Sequence, residues 1–378
     1  MRITFILPTV SLTGGNKVVA IYAQKLMQNG HIVKLVSPPP RPMALRAKLR
    51  SWLVGRGWPP DVKSLQSPLD DADLDHTVLD RWRPVRDRDV PDADVIIATW
   101  WETAEWVNAL GPEKGAKVYF IQGHEVFPYL PTERSKATYH LPFHKIVVSR
   151  WLEKIMTLDY GDPNVDLVPN SVDHGQFFAP IRGKGHTPTV GFLYSSSAPK
   201  GLDVLLDALT IVRRRWPDLT FVAFGSQLPI ASLPLPERTK YHHRPPQDKI
   251  RDIYAACDVW VTASTSEGFN LPAMEAMACR TPVVSSRVGW PEEAVKTGWN
   301  GVLVDVDDVS GLAEGIEWVL SQTDEAWRTL SANAFATVAE SSWEASALLF
   351  EEALIRAQAR ASRGEILGGR AGRCAGRG

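Results

Sequence analysis

The sequence predicts an α/β protein made of two doubly wound domains. Its 378 residues exceed what one hydrophobic core usually holds, which favours two domains. Short apolar runs typical of buried strands alternate with amphipathic stretches typical of helices, and a second such series begins at Thr189. This alternation is the pattern of a mostly parallel sheet with helices on its faces. We place the first domain at residues 1–173 and the second at residues 174–342.

The first elements form a βαβ unit. The opening run MRITFILPTV predicts a strand rather than a signal peptide, because it has a single basic residue and a short apolar core. A helix with an apolar face is predicted over residues 17–29, and Gly30 ends it before a strand over residues 31–37. Gly14 and Gly15 lie in the loop before the helix, where backbone without side chains can approach a ligand closely.

Three more strands complete the first domain, over residues 94–99, 117–122 and 145–149. The Asp-rich stretch 61–94 reads as a surface loop with little regular structure. The strand ends deliver Trp100 and Trp101, and then Gly123, His124 and Glu125, to the edge where open α/β sheets bind ligands. The two tryptophans suit stacking on a sugar, and they equally suit packing at a domain interface.

The second domain repeats the alternation. Strands are predicted over residues 189–195, 219–225, 258–263 and 281–286, and an amphipathic helix over residues 202–216. A helix from Trp343 to about Ala361 follows them. The glycine- and arginine-rich tail 363–378 cannot bury a core and is predicted to be disordered.

The most informative stretch is STSEGFNLPAMEAMACRTP, residues 264–282. It follows a buried strand and contains a glycine turn, a proline predicted at the first helical position, and an Ala/Met-rich helix. The free N–H groups of Phe269, Asn270 and Leu271 would then form an anion site at the helix start. Glu267 in the loop and Glu275 in the first helical turn border that pocket, where carboxylates can accept hydrogen bonds from a diol. The alternative is that both glutamates only cap and solubilise the helix.

With these neighbours, the Glu-seven-residues-Glu spacing resembles the signature of glycosyltransferase family 4. The resemblance implies a GT-B fold: two facing Rossmann-like doubly wound domains, with the helix at about 343–361 returning to the N-terminal domain. It implies a retaining transfer from a nucleotide-diphosphate sugar, with the donor held mainly by the C-terminal domain and the acceptor by the N-terminal one. The segments GGNKVVAIYAQKL and FIQGHEVF look most like transferases of bacterial surface polysaccharides, including rhamnosyltransferases.

The family pattern also implies roles for single residues. In that pattern Glu267 contacts the donor sugar and Glu275 contacts the ribose. The backbone of Phe269, Asn270 and Leu271 contacts the diphosphate. Lys200, in a Lys-Gly pair, neutralises the diphosphate, while Gly14 and Gly15 lie near the donor phosphates and the acceptor. His124, in the phrase YFIQGHEVFPY, approaches the donor sugar.

One position departs from the family pattern. Many members have an arginine where this chain has Phe192, and Arg244, in the loop YHHRPP after strand 219–225, is a candidate substitute. We expect no metal and no cofactor other than the nucleotide-sugar substrate, since no DxD-type acidic pair follows a strand beside the phosphate site. Two other functions remain open from the sequence: a GT-B epimerase acting on nucleotide sugars, and a silent sugar-nucleotide-binding scaffold.

Composition limits the partners. The formal net charge of −1 gives no global attraction to nucleic acid, and the odd cysteine count without a CxxC pair fits a reducing cytosol. No run approaches the roughly 20 apolar residues of a membrane-spanning helix. Residues 41–58 contain five basic and no acidic residues, with several leucines and tryptophans. Two interpretations stay open: a solvated basic loop, or a helix at an anionic membrane surface that brings the protein to a lipid-linked acceptor.

Overall fold

The computed structural model describes residues 1–11, 13–42, 45–46, 48–49, 69 and 73–368. The chain divides into two compact units. Unit 1 contains Met1–Val147, Met156–Val168 and residues 347–368, and unit 2 contains Val148–Ile155 and Pro169–Ser346. Residues 148–155 and 169–173, placed in the first domain by sequence, therefore belong to the second unit.

Unit 1 is built on a seven-stranded sheet in which every pair is parallel, in the order β3-β2-β1-β4-β5-β6-β7. The strands are β1 Arg2–Ile6, β2 Ile32–Ser37, β3 Asp75–Val78, β4 Val95–Ala98, β5 Ala116–Ile121, β6 His144–Val147 and β7 Val165–Leu167. The order reverses direction between β1 and β4, which makes this pair the switch point of the sheet.

Unit 2 is built on a six-stranded parallel sheet in the order β10-β9-β8-β11-β12-β13. The strands are β8 Thr189–Leu193, β9 Thr220–Gly225, β10 Thr239–His243, β11 Val259–Thr262, β12 Val283–Ser286 and β13 Gly301–Val304. Here β8 and β11 form the switch point.

Helices connect the strands in both units. They are α1 Gly14–Gln28, α2 Trp101–Asn108, α3 Thr132–Thr138, α4 Arg150–Leu158, α5 Leu202–Arg215, α6 Gln247–Ala255, α7 Leu271–Ala278, α8 Pro291–Ala294, α9 Val309–Ser321, α10 Asp324–Val338 and α11 Trp343–Ser362. Parallel neighbours joined by helical crossovers confirm the predicted α/β class.

Several local predictions were wrong. The Asp-rich stretch contains the edge strand β3, whose sequence DHTV has no apolar periodicity. Helix α1 begins at Gly14 rather than Lys17, because the Thr13 hydroxyl caps it by accepting from the Asn16 backbone N–H. The YHH part of YHHRPP belongs to a strand, β10, rather than to a loop.

The C-terminal helix α11 returns to unit 1, as the resemblance implied. The Phe350 ring lies 4.5 Å from the Tyr22 ring, 5.0 Å from Phe120 and 6.2 Å from Phe5, measured between centroids. Glu351 extends the contact, since its carboxylate accepts from the Asn29 side chain at 2.9 Å. The helix therefore closes the core over β1 and β5.

The core of unit 2 lies between its sheet and helices α5, α9 and α10. Phe192, the departure from the family pattern, is fully buried in this core. Phe192 therefore contributes to core packing, and its side chain offers no surface to a ligand.

Two segments named in the sequence analysis lie partly outside the described residues. These are the basic segment 41–58, most of which is not described, and the tail 363–378, of which residues 369–378 are not described. Within 41–58, Leu45 and Leu49 are exposed, whereas Lys48 is buried. Among the described residues, no helix is both long and apolar enough to cross a membrane.

Candidate functional site

The Glu-containing stretch follows β11 and leads into α7. Asn270 is the N-cap of α7 and has a left-handed backbone, with φ of 79°. Its side-chain amide donates to Thr262 Oγ1 at 3.0 Å, and Thr262 Oγ1 lies 2.9 Å from Ser285 Oγ. Asparagine tolerates this conformation better than most residues, so Asn270 fixes the turn that ends β11. Pro272 occupies the second helical position instead of the first.

The turn leaves backbone donors at the start of α7. The N–H groups of Phe269, Asn270 and Leu271 donate to no other group within the described part of the chain. The carbonyl of Phe269 accepts from the Trp290 N–H at 2.9 Å, and the two rings stack 5.5 Å apart. These contacts hold the segment rigidly, which suits the binding of an anion at a helix N-terminus.

Lys200 and Glu267 meet at the switch point of unit 2, because the loops that carry them follow the neighbouring strands β8 and β11. Lys200 Nζ lies 2.6 Å from Glu267 Oε1, and Ser264 Oγ donates to the same oxygen at 2.8 Å. The Glu267 side chain is 12% exposed and that of Lys200 is 32% exposed. A partly buried cation and carboxylate therefore lie together, and Glu267 Oε2 accepts a hydrogen bond from none of the described groups.

Gly201 allows this approach of the two loops. Its φ is +56°, and a Cβ at this position would lie 2.0 Å from the Ala263 carbonyl oxygen. The Thr265 N–H donates to the Pro199 carbonyl at 2.9 Å, which fixes the loop of Lys200 against the end of β11.

Glu275 lies beyond the first turn of α7, one residue position later than the prediction required, and it is buried. Its Oε2 accepts from the Tyr254 hydroxyl at 2.8 Å. Burial, together with the Glu275 charge, raises the pKa of Tyr254 well above its usual value, so this hydroxyl stays protonated and donates. Tyr254 thus orients Glu275, a role that the sequence did not indicate.

Arg244 follows β10 and has a positive φ of 48°. Its Nε donates to the Ser226 carbonyl at 2.8 Å. It lines a groove of about 510 Å³ with Lys240, His242 and Lys249. The structure therefore places Arg244 at the β9–β10 side of the sheet, and the described contacts do not join it to Lys200 or Glu267.

The predicted residues of unit 1 follow β1 and β5. Gly14 and Gly15 are the first two residues of α1 rather than loop residues. A Cβ on Gly15 would lie 3.6 Å from the Gln122 side-chain amide, whereas one on Gly14 would meet no described atom within 4 Å. The start of α1 and the end of β5 are therefore close to one another.

His124 also lies at the end of β5. Its Nε2 is 2.8 Å from the Tyr160 hydroxyl. Burial lowers the pKa of His124 below its ordinary value, which favours the neutral imidazole near neutral pH.

Glu125, the next residue, is 3% exposed and is not available to a ligand. Its carboxylate accepts from the Trp101 N–H at 2.7 Å, and burial raises its pKa well above the usual value. Trp101 is also 3% exposed, so its ring packs within unit 1 and offers no stacking surface. Within the described residues, no three His, Cys, Asp or Glu side chains are grouped as a metal site.

Residues 177–337 match the family model described as Glycosyl transferases group 1. A D-inositol 3-phosphate glycosyltransferase of Corynebacterium diphtheriae is 32% identical over 175 residues, which cover 43% of this chain and 41% of that protein. The chain spans less than half the length of the inositol-phosphate relatives that it matches.

Solved structures extend the similarity to nearly the whole chain. A sucrose-phosphate synthase from Thermosynechococcus elongatus has a TM-score of 0.71 at 20% identity and covers 95% of this chain and 99% of its own. An Anabaena protein in complex with UDP-glucose has a TM-score of 0.65 at 20% identity, covering 94% of this chain and all of its own. Together with the two parallel sheets, these neighbours confirm the predicted GT-B fold. The chain thus has a GT-B fold, and its residues 177–337 are similar to the glycosyl transferases group 1 family.

Proposed function

We propose that this protein is a retaining glycosyltransferase. It moves a hexose or deoxyhexose from a nucleotide-diphosphate sugar to a saccharide or lipid-linked saccharide acceptor. The observation that carries the proposal is the pairing of Lys200 with Glu267 at the switch point, together with backbone N–H groups at the start of α7 that have no acceptor among the described residues. A cation, a carboxylate and helix N–H groups are the partners that a sugar diphosphate requires.

The diphosphate binds Lys200 and the N–H groups of Phe269, Asn270 and Leu271 in this proposal. Glu267 Oε2 accepts from a hydroxyl of the donor sugar, while Oε1 stays with Ser264. Glu275, oriented by Tyr254, accepts from the ribose hydroxyls. The Anabaena neighbour, which was solved with UDP-glucose, supports a nucleotide sugar as the donor.

The leaving group is stabilised without a metal ion. Lys200 and the dipole of α7 offset the negative charge that develops on the diphosphate as the glycosidic bond breaks. The acceptor oxygen attacks from the same face that the diphosphate leaves, and the leaving phosphate oxygen takes the acceptor proton. This is the retaining course that the family resemblance implies, and the same resemblance assigns His124 a role at the donor sugar.

The acceptor is a saccharide of a bacterial surface polysaccharide or a lipid-linked precursor of one. The resemblance of GGNKVVAIYAQKL and FIQGHEVF to such transferases supports this class. A cytoplasmic protein that associates with an anionic membrane through residues 41–58 would meet a lipid-linked acceptor there.

A thermal-shift screen of nucleoside diphosphates and their sugars tests donor binding. A ligand present at about 100 times its dissociation constant adds about 2.7 kcal/mol to the free energy of unfolding. Lys200→Met should lose this stabilisation. Lys296→Met is the matched control, because Lys296 is an exposed lysine of the same unit that does not line the groove of Arg244.

Product analysis then separates the enzyme classes. Transfer requires both donor and acceptor, whereas an epimerase converts the donor alone and a scaffold binds it unchanged. Failure of every nucleotide sugar to stabilise the wild type, or equal stabilisation of both lysine variants, would overturn the proposal.

A further inference from the structure

Two tyrosines hold His124 in unit 1. The Tyr139 hydroxyl accepts from the Glu125 N–H at 2.9 Å and donates to the Gly123 carbonyl at 3.3 Å, so it contacts the backbone on both sides of His124. Tyr160 contacts the imidazole itself, with its hydroxyl 2.8 Å from Nε2. The rings of Tyr139 and Tyr160 are 4.8 Å apart, which makes one aromatic cluster around the histidine.

The direction of the Tyr160–His124 hydrogen bond follows from the protonation of both groups. Burial raises the pKa of Tyr160 to about 12, so the phenol keeps its proton near neutral pH. Burial lowers the pKa of His124, so its ring is neutral and has one acceptor nitrogen. A phenol is a stronger acid than a neutral imidazole N–H, and it is therefore the donor of this pair.

We propose that Tyr160 is the positioning residue of His124: its hydroxyl donates to Nε2 and thereby fixes the imidazole as the Nδ1–H tautomer. The ring then offers Nδ1–H as its donor to a ligand, such as a sugar hydroxyl or ring oxygen. Tyr160 follows α4 and is 36 positions from His124 in the chain. The catalytic consequence rests on the proposed function, whereas the tautomer does not depend on it.

Nitrogen-15 NMR of the imidazole tests the tautomer directly on the full-length protein. The His124 signals are assigned by comparison with His124→Gln. In the wild type, Nδ1 should carry the proton and Nε2 should show the signature of an unprotonated acceptor. In Tyr160→Phe this signature should be lost, since the ring contact remains but the hydroxyl is removed. Tyr129→Phe is the matched control, because Tyr129 is an exposed tyrosine of the same unit.

Initial rates measure the consequence for transfer. Loss of one orienting hydrogen bond should lower kcat about three- to tenfold in Tyr160→Phe, with KM for the donor nearly unchanged and the Tyr129→Phe control at the wild-type rate. A wild-type His124 with the proton on Nε2, or an unchanged signature in Tyr160→Phe, would overturn the positioning role even if transfer is observed. If no transfer is found but the signature behaves as expected, the proposed function fails and the assignment of Tyr160 stands.

Discussion

Substitution of Gly201 by alanine tests whether the Lys200 loop must pack against β11. The new Cβ would lie 2.0 Å from the Ala263 carbonyl oxygen, at a backbone φ of +56°. A left-handed conformation costs a non-glycine residue about 1–2 kcal/mol, and forcing an extra methyl group into packed backbone costs about 1–3 kcal/mol more. Gly201→Ala should therefore destabilise the protein by about 2–5 kcal/mol in free energy of unfolding.

Gly298→Ala separates the two costs. Gly298 has a φ of +84°, but a Cβ there meets no described atom within 4 Å, so this variant should lose only the conformational part. For a unit of this size, 1 kcal/mol shifts Tm by about 2–4 °C. We expect Gly201→Ala to melt roughly 2–12 °C below Gly298→Ala in thermal denaturation.

The same variant affects ligand binding. A displaced loop moves Lys200 away from Glu267, so donor-induced stabilisation should be lost in Gly201→Ala and retained in Gly298→Ala. Equal melting temperatures of the two variants would refute the packing argument. Undiminished donor stabilisation of Gly201→Ala would refute the link between this glycine and Lys200.

Three further predictions concern the donor, the reaction and the membrane. Glu275→Gln, which keeps a partner for Tyr254, should weaken the donor affinity measured by titration calorimetry about ten- to a hundredfold, since a charge-assisted hydrogen bond contributes roughly 1.5–3 kcal/mol. Glu267→Gln should mainly lower kcat. Wild-type affinity and kcat in both variants would contradict the roles of the two glutamates. Activity should persist in EDTA and NMR should show a retained anomeric configuration, whereas an inverted product or a magnesium requirement would argue against the mechanism. The wild-type protein should sediment with anionic liposomes at low salt more than a variant that carries Arg46→Glu and Arg50→Glu. Lys48 is left unchanged in this variant because it is buried. Equal sedimentation of the two proteins would rule out membrane binding through this segment.

The architecture could be predicted from the sequence because buried parallel strands leave a strong signal. Strands β4, β5 and β11 are buried along their whole length, and each appeared as a mainly apolar run. Strand β3 is an edge strand whose four residues are exposed or half-buried, so its polar sequence resembled a loop. Strand β10 escaped prediction for the same reason.

The residues of the candidate site could be identified one by one, but their contacts could not. Lys200 and Glu267 are 67 positions apart, and they meet because β11, the strand that leads to Glu267, pairs with β8 rather than with the preceding strand β10. Strand order across a switch point is a property of the folded sheet and leaves no local pattern in the chain. The orienting tyrosines Tyr160 and Tyr254 were missed because a tyrosine in an apolar or mixed stretch gives no signal of which carboxylate or imidazole it will contact.

Lys200 and Ser264 both determine how the Glu267 carboxylate is oriented when a donor binds. Within the described part of the chain, Lys200 and Ser264 both contact Glu267 through Oε1, so the carboxylate is already oriented before a ligand arrives. A diphosphate that draws Lys200 towards itself would weaken one of these contacts, and Ser264 would still hold the carboxylate. Ser264→Ala should therefore reduce kcat more than donor affinity, because the orientation of Glu267 would then depend on Lys200 alone. Equal losses in kcat and in affinity measured by titration calorimetry would show that Ser264 does not orient Glu267 in this way.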